Sequence, residues 1–280
     1  MKNIFFLSIS MISLSLFVSC NKNERYNCMN GNCIESKNGK FRSLSECEEF
    51  CIPTADPVIF NPDLVYGEVS DVEGNVYKTI SINGELWMAE DLKTSRYSNG
   101  DTINHVIDEY EWSVSAEGAW CYFANDVNNG VTKSKLYNWH AVNDSRNICP
   151  EGWHVPTLSE YEELESYLDT IKPINEAGNK MKSTGTLNLG SGYWADPNEG
   201  ASNYSGFSGL PNGLRNREGS FVRIGLTHPG GSGSWWTSTD INSFGNLNGF
   251  SILLTTHNKT LIYQDRRQTS GQCVRCKQDN

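Results

Sequence analysis

The nine cysteines carry most of the reactive chemistry in this 280-residue chain, and their spacing sorts them by task. Cys20 ends the segment LFVSC, which follows a start with Lys2 and an apolar, Ser-rich run over residues 4–18. That small-residue-then-cysteine pattern is where bacterial leaders are cut and the new terminal cysteine is acylated. The run is short for a bilayer span, and the polar segment NKNE follows at once. Residues 1–19 are therefore expected to leave as a signal peptide, with Cys20 the lipidated residue and residues 20–27 an acylated tether. Several acyl chains on one residue hold a protein durably to a membrane, each buried methylene contributing about 0.8 kcal/mol.

The other eight cysteines form an even set in a chain addressed to an oxidising compartment, so disulfides are the expectation. Cys28, Cys33, Cys47 and Cys51 lie close together, whereas Cys121, Cys149, Cys273 and Cys276 are spread over the remainder. Cys273-Val274-Arg275-Cys276 has the spacing of a redox or metal pair. Its flanks read as a terminal strand, where residues three apart face opposite ways and suit two separate bridges. In the first group, Ser43 caps a short helix with Glu46 as its reciprocal partner, which sets Cys47 and Cys51 on one helical face. An extended pair of segments with a turn at Asn38-Gly39 precedes it. Four cysteines allow three connectivities. FRSLSECEEFC resembles the last helix of Kunitz-type inhibitor domains, a likeness that implies the nested pairs Cys28 with Cys51 and Cys33 with Cys47. The unit, residues 28–51, is too short to carry an inhibitory loop, and a stapled spacer is the expectation.

Positioning elements follow from pattern. Residues 52–66 include Pro53, Pro57 and Pro62 without sustained periodicity, as in a semi-extended linker. The main domain is expected from residue 67 to 280. Asn83-Gly84 between two β-prone arms marks a hairpin. Thr157 caps the clearest helix, with Glu160 completing the box and Leu158, Tyr161, Leu164 and Leu168 on one face. Short strand-like runs then follow at residues 220–224, 234–237, 250–255 and 260–263, after a long Gly-, Ser- and Asn-rich region. The order is that of an α+β domain with antiparallel sheets, one or two helices and a long irregular loop region.

Seven separated segments carry a family resemblance in order: DVEGNVYKTISINGELWMAEDLK, GAWCYFAND, KLYNWHAV, CPEGWHVPTLSEYEEL, GASNYSGFSGLPNGLRNREGSF, GSWWTST and VRCKQD. From about residue 67 to 279 the chain resembles the Fibrobacter succinogenes major paralogous domain. That family is similar to the C-type-lectin-like superfold, and GWHVPTLSEYEEL resembles a signature of the formylglycine-generating enzyme branch. The likeness implies adjacent first and last strands, and with them a bridge from Cys149 to Cys276. Cys121 with Cys273 is then the remaining pair, although Cys273 is an addition to the usual family ending. The oxidase branch's catalytic C-x4-C is missing, so no catalytic residue is assigned and the domain is expected not to be an enzyme.

Asp196-Pro197-Asn198-Glu199 looks like the tripeptide by which calcium-dependent lectins hold calcium and sugar. The downstream acidic partner is absent, with Trp235-Trp236-Thr237-Ser238 in its place, so a surface turn without cofactor is expected and calcium is the alternative. Trp194 beside this turn is the candidate for stacking on a sugar or peptide ring, with Asp196, Asn198, Glu199 and Trp235 as further candidate ligand contacts. Trp87, Trp139, Trp153 and Trp236 are expected in the core. The histidines show no metal spacing, and His154 is expected to be a packed strand residue.

Composition limits the partners. Lys+Arg 23 against Asp+Glu 33 gives −10, and a leader whose one charged residue is Lys2 leaves −11 in the mature chain, which disfavours nucleic acid. The expectation is an outer-membrane lipoprotein, facing inward or outward, held by its lipid and recognising glycan or protein without catalysis; the alternatives are an enzyme related to the formylglycine-generating oxidases and a structural surface component without a small ligand.

Overall fold

The computed structural model describes residues 25–29, 32–35, 39–50, 59–126, 134–222, 230–243 and 246–280. The expected leader, Cys20 and most of the tether lie outside them. The chain divides into two compact units, Met1–Ile52 and Pro53–Asn280. Helices are numbered α1 (Leu44–Phe50), α2 (Glu109–Ser113), α3 (Trp139–Val142), α4 (Leu158–Thr170) and α5 (Ala177–Met181). Among the described residues none of them is long and apolar enough to cross a membrane.

In the first unit, Tyr26–Met29 pairs antiparallel with Asn32–Glu35, an earlier hairpin than the one expected around Asn38-Gly39, where Asn38 lies outside the described residues. The Ser43 hydroxyl accepts from the Glu46 amide at 3.1 Å, while the Glu46 carboxylate reaches back to the Arg42 amide at 2.7 Å. Cys33 is bonded to Cys47 across a separation of 14 residues. The expected pairing of Cys28 with Cys51 lies outside the described side chains.

The second unit is a mixed α+β fold, mostly sheet. A five-stranded sheet has the order Gly67–Ser70, Val76–Ile82, Glu85–Met88, Lys277–Gln278, Trp153–His154, so the end of the chain pairs with strands near its start. A second sheet is a meander of Ser232–Ser243, Asn246–Thr255 and Ile262–Arg267. A third joins Asn104–His105, Ala119–Tyr122 and Lys135–Tyr137, with Leu214–Arg215 and Phe221–Val222 as a small hairpin. At the Asn83-Gly84 hairpin both turn residues have positive φ, 53° and 84°, as the tight primed turn requires. α4 forms with its complete capping box and buries Tyr161, Leu164 and Leu168. Cys149 is bonded to Cys276 over 127 residues, tying the segment before α4 to the chain end.

Successive side chains on a strand face opposite ways. Trp235 accordingly enters one core cluster, with Ile80, Trp87, Tyr161 and Trp194, while Trp236 enters the other, with Tyr77, Trp139, Trp153 and Val274. All eight tryptophans are buried. Part of the expected linker is domain: Phe60, Leu64 and Tyr66 pack on the first cluster, and the Asn61 and Asn203 amides exchange bonds with the backbone of residues 203 and 59. These apolar residues lie too far apart for a periodic signal, yet each buries area against the core.

Candidate ligand cavities around His140

Of the five expected ligand contacts, Trp194, Asn198 and Trp235 are turned inward, while Asp196 and Glu199 are exposed. Trp194 has 0% exposure and its indole N–H donates to the Gly209 carbonyl at 3.0 Å. Trp235 also has 0% exposure and donates to Asp91 at 2.8 Å. Neither indole is available to stack on a ligand, which corrects the sequence expectation for both. Asn198 is buried, and its amide donates to the carbonyls of Ser183 and Gly185 at 3.2 and 3.0 Å. Asp196 accepts from the Asn188 amide, and Glu199 faces solvent. The Asp196–Glu199 turn therefore braces its own loop. Among the described residues no group of three His, Cys, Asp or Glu side chains is placed to hold a metal ion.

Beneath that loop lies a dry ion pair. Arg275 and Asp91 both have 0% side-chain exposure and meet at 2.6 Å. Arg275 also donates to the carbonyls of Phe207 and Ser208 and stacks over the Phe207 ring at 4.1 Å. Asp91 accepts in addition from Asn212. Each charge is thus neutralised and hydrogen-bonded, the condition under which burial is tolerated.

The expected Cys121–Cys273 bridge does not form; both are buried free thiols. Cys121 sits on the strand paired with Lys135–Tyr137, and Cys273 bridges instead to Trp235. Cys273 thus belongs to the Asp91 and Arg275 surroundings, not to the strand that carries Cys121. Burial pushes the Cys121 thiol up to about 12 against the opposing pull of Arg215, and pushes Cys273 well above the ordinary thiol range, helped by the charge of Asp91. A thiol held in that way is a poor nucleophile.

Open space lies elsewhere in this unit, in two adjoining cavities of about 480 and 420 Å³ that share His140. These are sizes in the range of small-molecule sites. α3 carries His140, and its placement is rigid. The Asn138 side chain accepts from the amides of Ala141 and Ala119 at 3.1 and 2.9 Å and donates to the Glu117 carbonyl at 2.8 Å. Trp139 anchors the same helix through its indole to Thr237 at 3.2 Å. Gly249 is required opposite it, because a Cβ there would meet the Trp139 ring at 2.3 Å. His140 is half-buried, which pulls its imidazole below the ordinary histidine range, and its ring has no hydrogen-bond partner among the described residues.

The larger cavity is walled by Ser113, Arg217, Leu247, Arg267 and Gln268. Its backbone is fixed on several sides: the Trp139 amide donates to the Gln268 carbonyl at 2.8 Å, the Gln268 amide to Leu247 at 3.0 Å, and the Trp112 indole to Thr269 at 2.5 Å. Arg215, fully buried, bonds the carbonyls of Gly219, Val106 and Ile107 and lies 4.4 Å over the Trp112 ring, holding α2 and the 216–219 turn together. The smaller cavity presents Glu117, Asn143, Asp144 and Arg146. Hydrogen bonds from Arg146 hold the Asp144 carboxyl down to about 2, and Arg146 itself lies 4.0 Å over the Tyr97 ring. These walls come from five separate stretches of chain. The one sequence signal is the basic pair Arg266-Arg267 at the end of a β-prone run, a weak one because adjacent arginines are common on exposed strands.

His154 is also more than a packed strand residue. It lies between Glu160 at 2.9 Å and Asp279 at 2.6 Å, and the bond to Glu160 is the main cause that raises its basicity.

No curated protein and no solved structure matches this chain. The model of the Fibrobacter succinogenes major domain matches residues 80–277, which include both cavities, the buried ion pair and the Cys149–Cys276 bridge. The chain belongs to the Fibrobacter succinogenes major domain family.

Proposed function

We propose that the chain is a non-catalytic binding lipoprotein, anchored through an acylated Cys20 at the outer membrane and recognising glycan or protein with the face around His140. The observation that carries this reading is the pair of cavities whose backbone is fixed while the ring of His140 and the guanidinium of Arg267 have no partner among the described residues. A preformed polar cleft on a rigid support is what recognition without chemistry needs. A C-type-lectin-like fold is the finer architectural reading, supported by the pairing of early and final strands and by the irregular stretch between α5 and Leu214. That superfold is a platform for many functions, so the site carries the functional argument.

The competing reading is an enzyme related to the formylglycine-generating branch. The two free thiols give it a foothold, but their burial and raised pKa values favour the binding reading. A third reading is a structural surface component with no small ligand. Screening the mature protein on glycan arrays with and without calcium, alongside a His140→Trp variant that fills the wall between the cavities, tests the proposal. Binding that His140→Trp abolishes is expected. Blank arrays, together with no protein ligand on the producing cell surface, would leave the structural reading in its place.

A further inference from the structure

Arg267 stands apart among the arginines of the main unit. Each other arginine described there is engaged by a carboxylate or a neutral oxygen acceptor: Arg96 by Glu73 and Gly100, Arg146 by Asp144, Arg217 by Glu218, Arg266 by Gln264, and Arg215 and Arg275 in the interior. Arg267 ends the strand Ile262–Arg267, is exposed, and has no side-chain partner among the described residues. In a chain of net charge −10, an arginine left unpaired at a cavity wall is the exception. Beside it, the Arg217–Glu218 pair is more than half exposed on both sides and readily exchanged for a ligand anion.

The remaining wall is suited to a polyhydroxylated ring. The Ser113 hydroxyl, whose proton goes to the Tyr110 carbonyl, can accept from a ligand hydroxyl, the side-chain carbonyl of Gln268 can do the same while its amide donates to Asp240 at 3.5 Å, and Leu247 offers an exposed apolar side chain to a ring face. Across His140 the character reverses. The second cavity presents the Glu117 carboxylate and the Asn143 amide, which accept from sugar hydroxyls; Asp144 there is bound by Arg146, so Glu117 is the carboxylate that repels a second anion.

Resting on the reading of this face as a glycan-binding site, we propose that the paired cavities take an acidic oligosaccharide in which a uronic acid is joined to a neutral sugar. The uronate lies in the Arg267 cavity, its carboxylate in a two-pronged contact with the guanidinium. The neutral sugar lies beyond His140, against Glu117 and Asn143. The polarity of the two cavities thus selects a mixed sequence over a run of uronates.

The test is calorimetric titration of the full mature protein with three probes: a disaccharide of glucuronic acid linked to xylose, its carboxyl-reduced counterpart, and digalacturonic acid. The expected result is that the mixed disaccharide binds at least tenfold more tightly than either of the others. Arg267→Gln should abolish the preference over the carboxyl-reduced probe, Arg267→Lys should restore part of it, and Glu117→Gln should narrow the discrimination against digalacturonic acid. Arg267 is exposed at a strand end, so an unchanged melting temperature checks that the variants fold. Equal binding of the acidic and reduced probes, or unchanged affinity in Arg267→Gln, overturns the acidic assignment while leaving a sugar-binding face standing. An Arg267-dependent affinity for a short peptide with a free C-terminal carboxylate, equal to that for the sugar, overturns the sugar assignment. Failure of every glycan and every peptide overturns this inference and the binding reading together.

Discussion

Arg275 and Arg267 lie eight residues apart in sequence and in opposite physical situations. Arg275 is sealed against Asp91, two carbonyls and the Phe207 ring. Arg267 faces open space, and its side-chain donors have no partner among the described residues. The loop region built around Arg275 has the residue types of a ligand surface, yet its tryptophans are interior. The face around Arg267 and His140 carries no sequence motif and holds the cavities. Aromatic and acidic residues in a Gly-rich loop are compatible with either outcome, and the deciding factor is whether an internal acceptor claims their polar atoms. Here Asp91 claims the Trp235 indole, and the Gly209 carbonyl claims that of Trp194.

The comparison breaks first at Asp91. Asp91→Ala leaves Arg275 charged and unpaired in the interior, a change that costs about 3–5 kcal/mol. Chemical denaturation should show that loss or a chain that no longer folds. Trp194→Ala should cost about 3–5 kcal/mol through the cavity it leaves, the reverse of the stability-neutral change expected of an exposed stacking residue. A Trp194→Ala variant of wild-type stability would return that indole to the surface.

A smaller effect separates the chain end from both regions. His154 is held above its ordinary value near 6.5 by Glu160 and then Asp279, so its contribution is full below that value and is lost as pH rises through the raised one. Burial opposes ionisation of Glu160, but bonds from His154, the Thr157 amide and Lys277 hold its carboxyl down to about 2. Its contribution is present above the ordinary value near 4.5 and fades as pH falls toward 2. This contact therefore stabilises most between about pH 4.5 and 6.5. His154→Gln should flatten the decline on the alkaline side of that window in melting curves taken across pH; an unchanged profile would remove the contact from the account. Smallest of all, Arg267→Gln should alter stability by no more than about 0.5 kcal/mol, as for an exposed side chain with no partner. A larger loss would mean that Arg267 has a structural partner, and the contrast with Arg275 would fail.

What the sequence made legible was local. The Asn83-Gly84 hairpin and the Thr157-capped helix depend on residues within a few positions of one another, and both form where pattern places them. The strands near 234 and 250 are longer than their apolar runs, because Ser, Asn and Gly at their ends mimic loop chemistry while the ladder continues to Ser243 and from Asn246. The fate of Trp194 and Trp235 was hidden because their acceptors, Gly209 and Asp91, lie 15 and 144 residues away. The thiol pair was misjudged for a similar reason. An even count of cysteines says nothing about which strand carries each one, and burial can retain a thiol as readily as a bridge can consume it.

Solvent access to the thiols tests the account's central contrast, a sealed interior beneath the loops and an open face around His140, most directly. Alkylation of the mature protein followed by mass mapping should label neither Cys121 nor Cys273 in the native state and both in guanidinium. Rapid labelling of either residue in the folded protein would contradict the sealed interior and give the enzyme reading the reactive cysteine it requires.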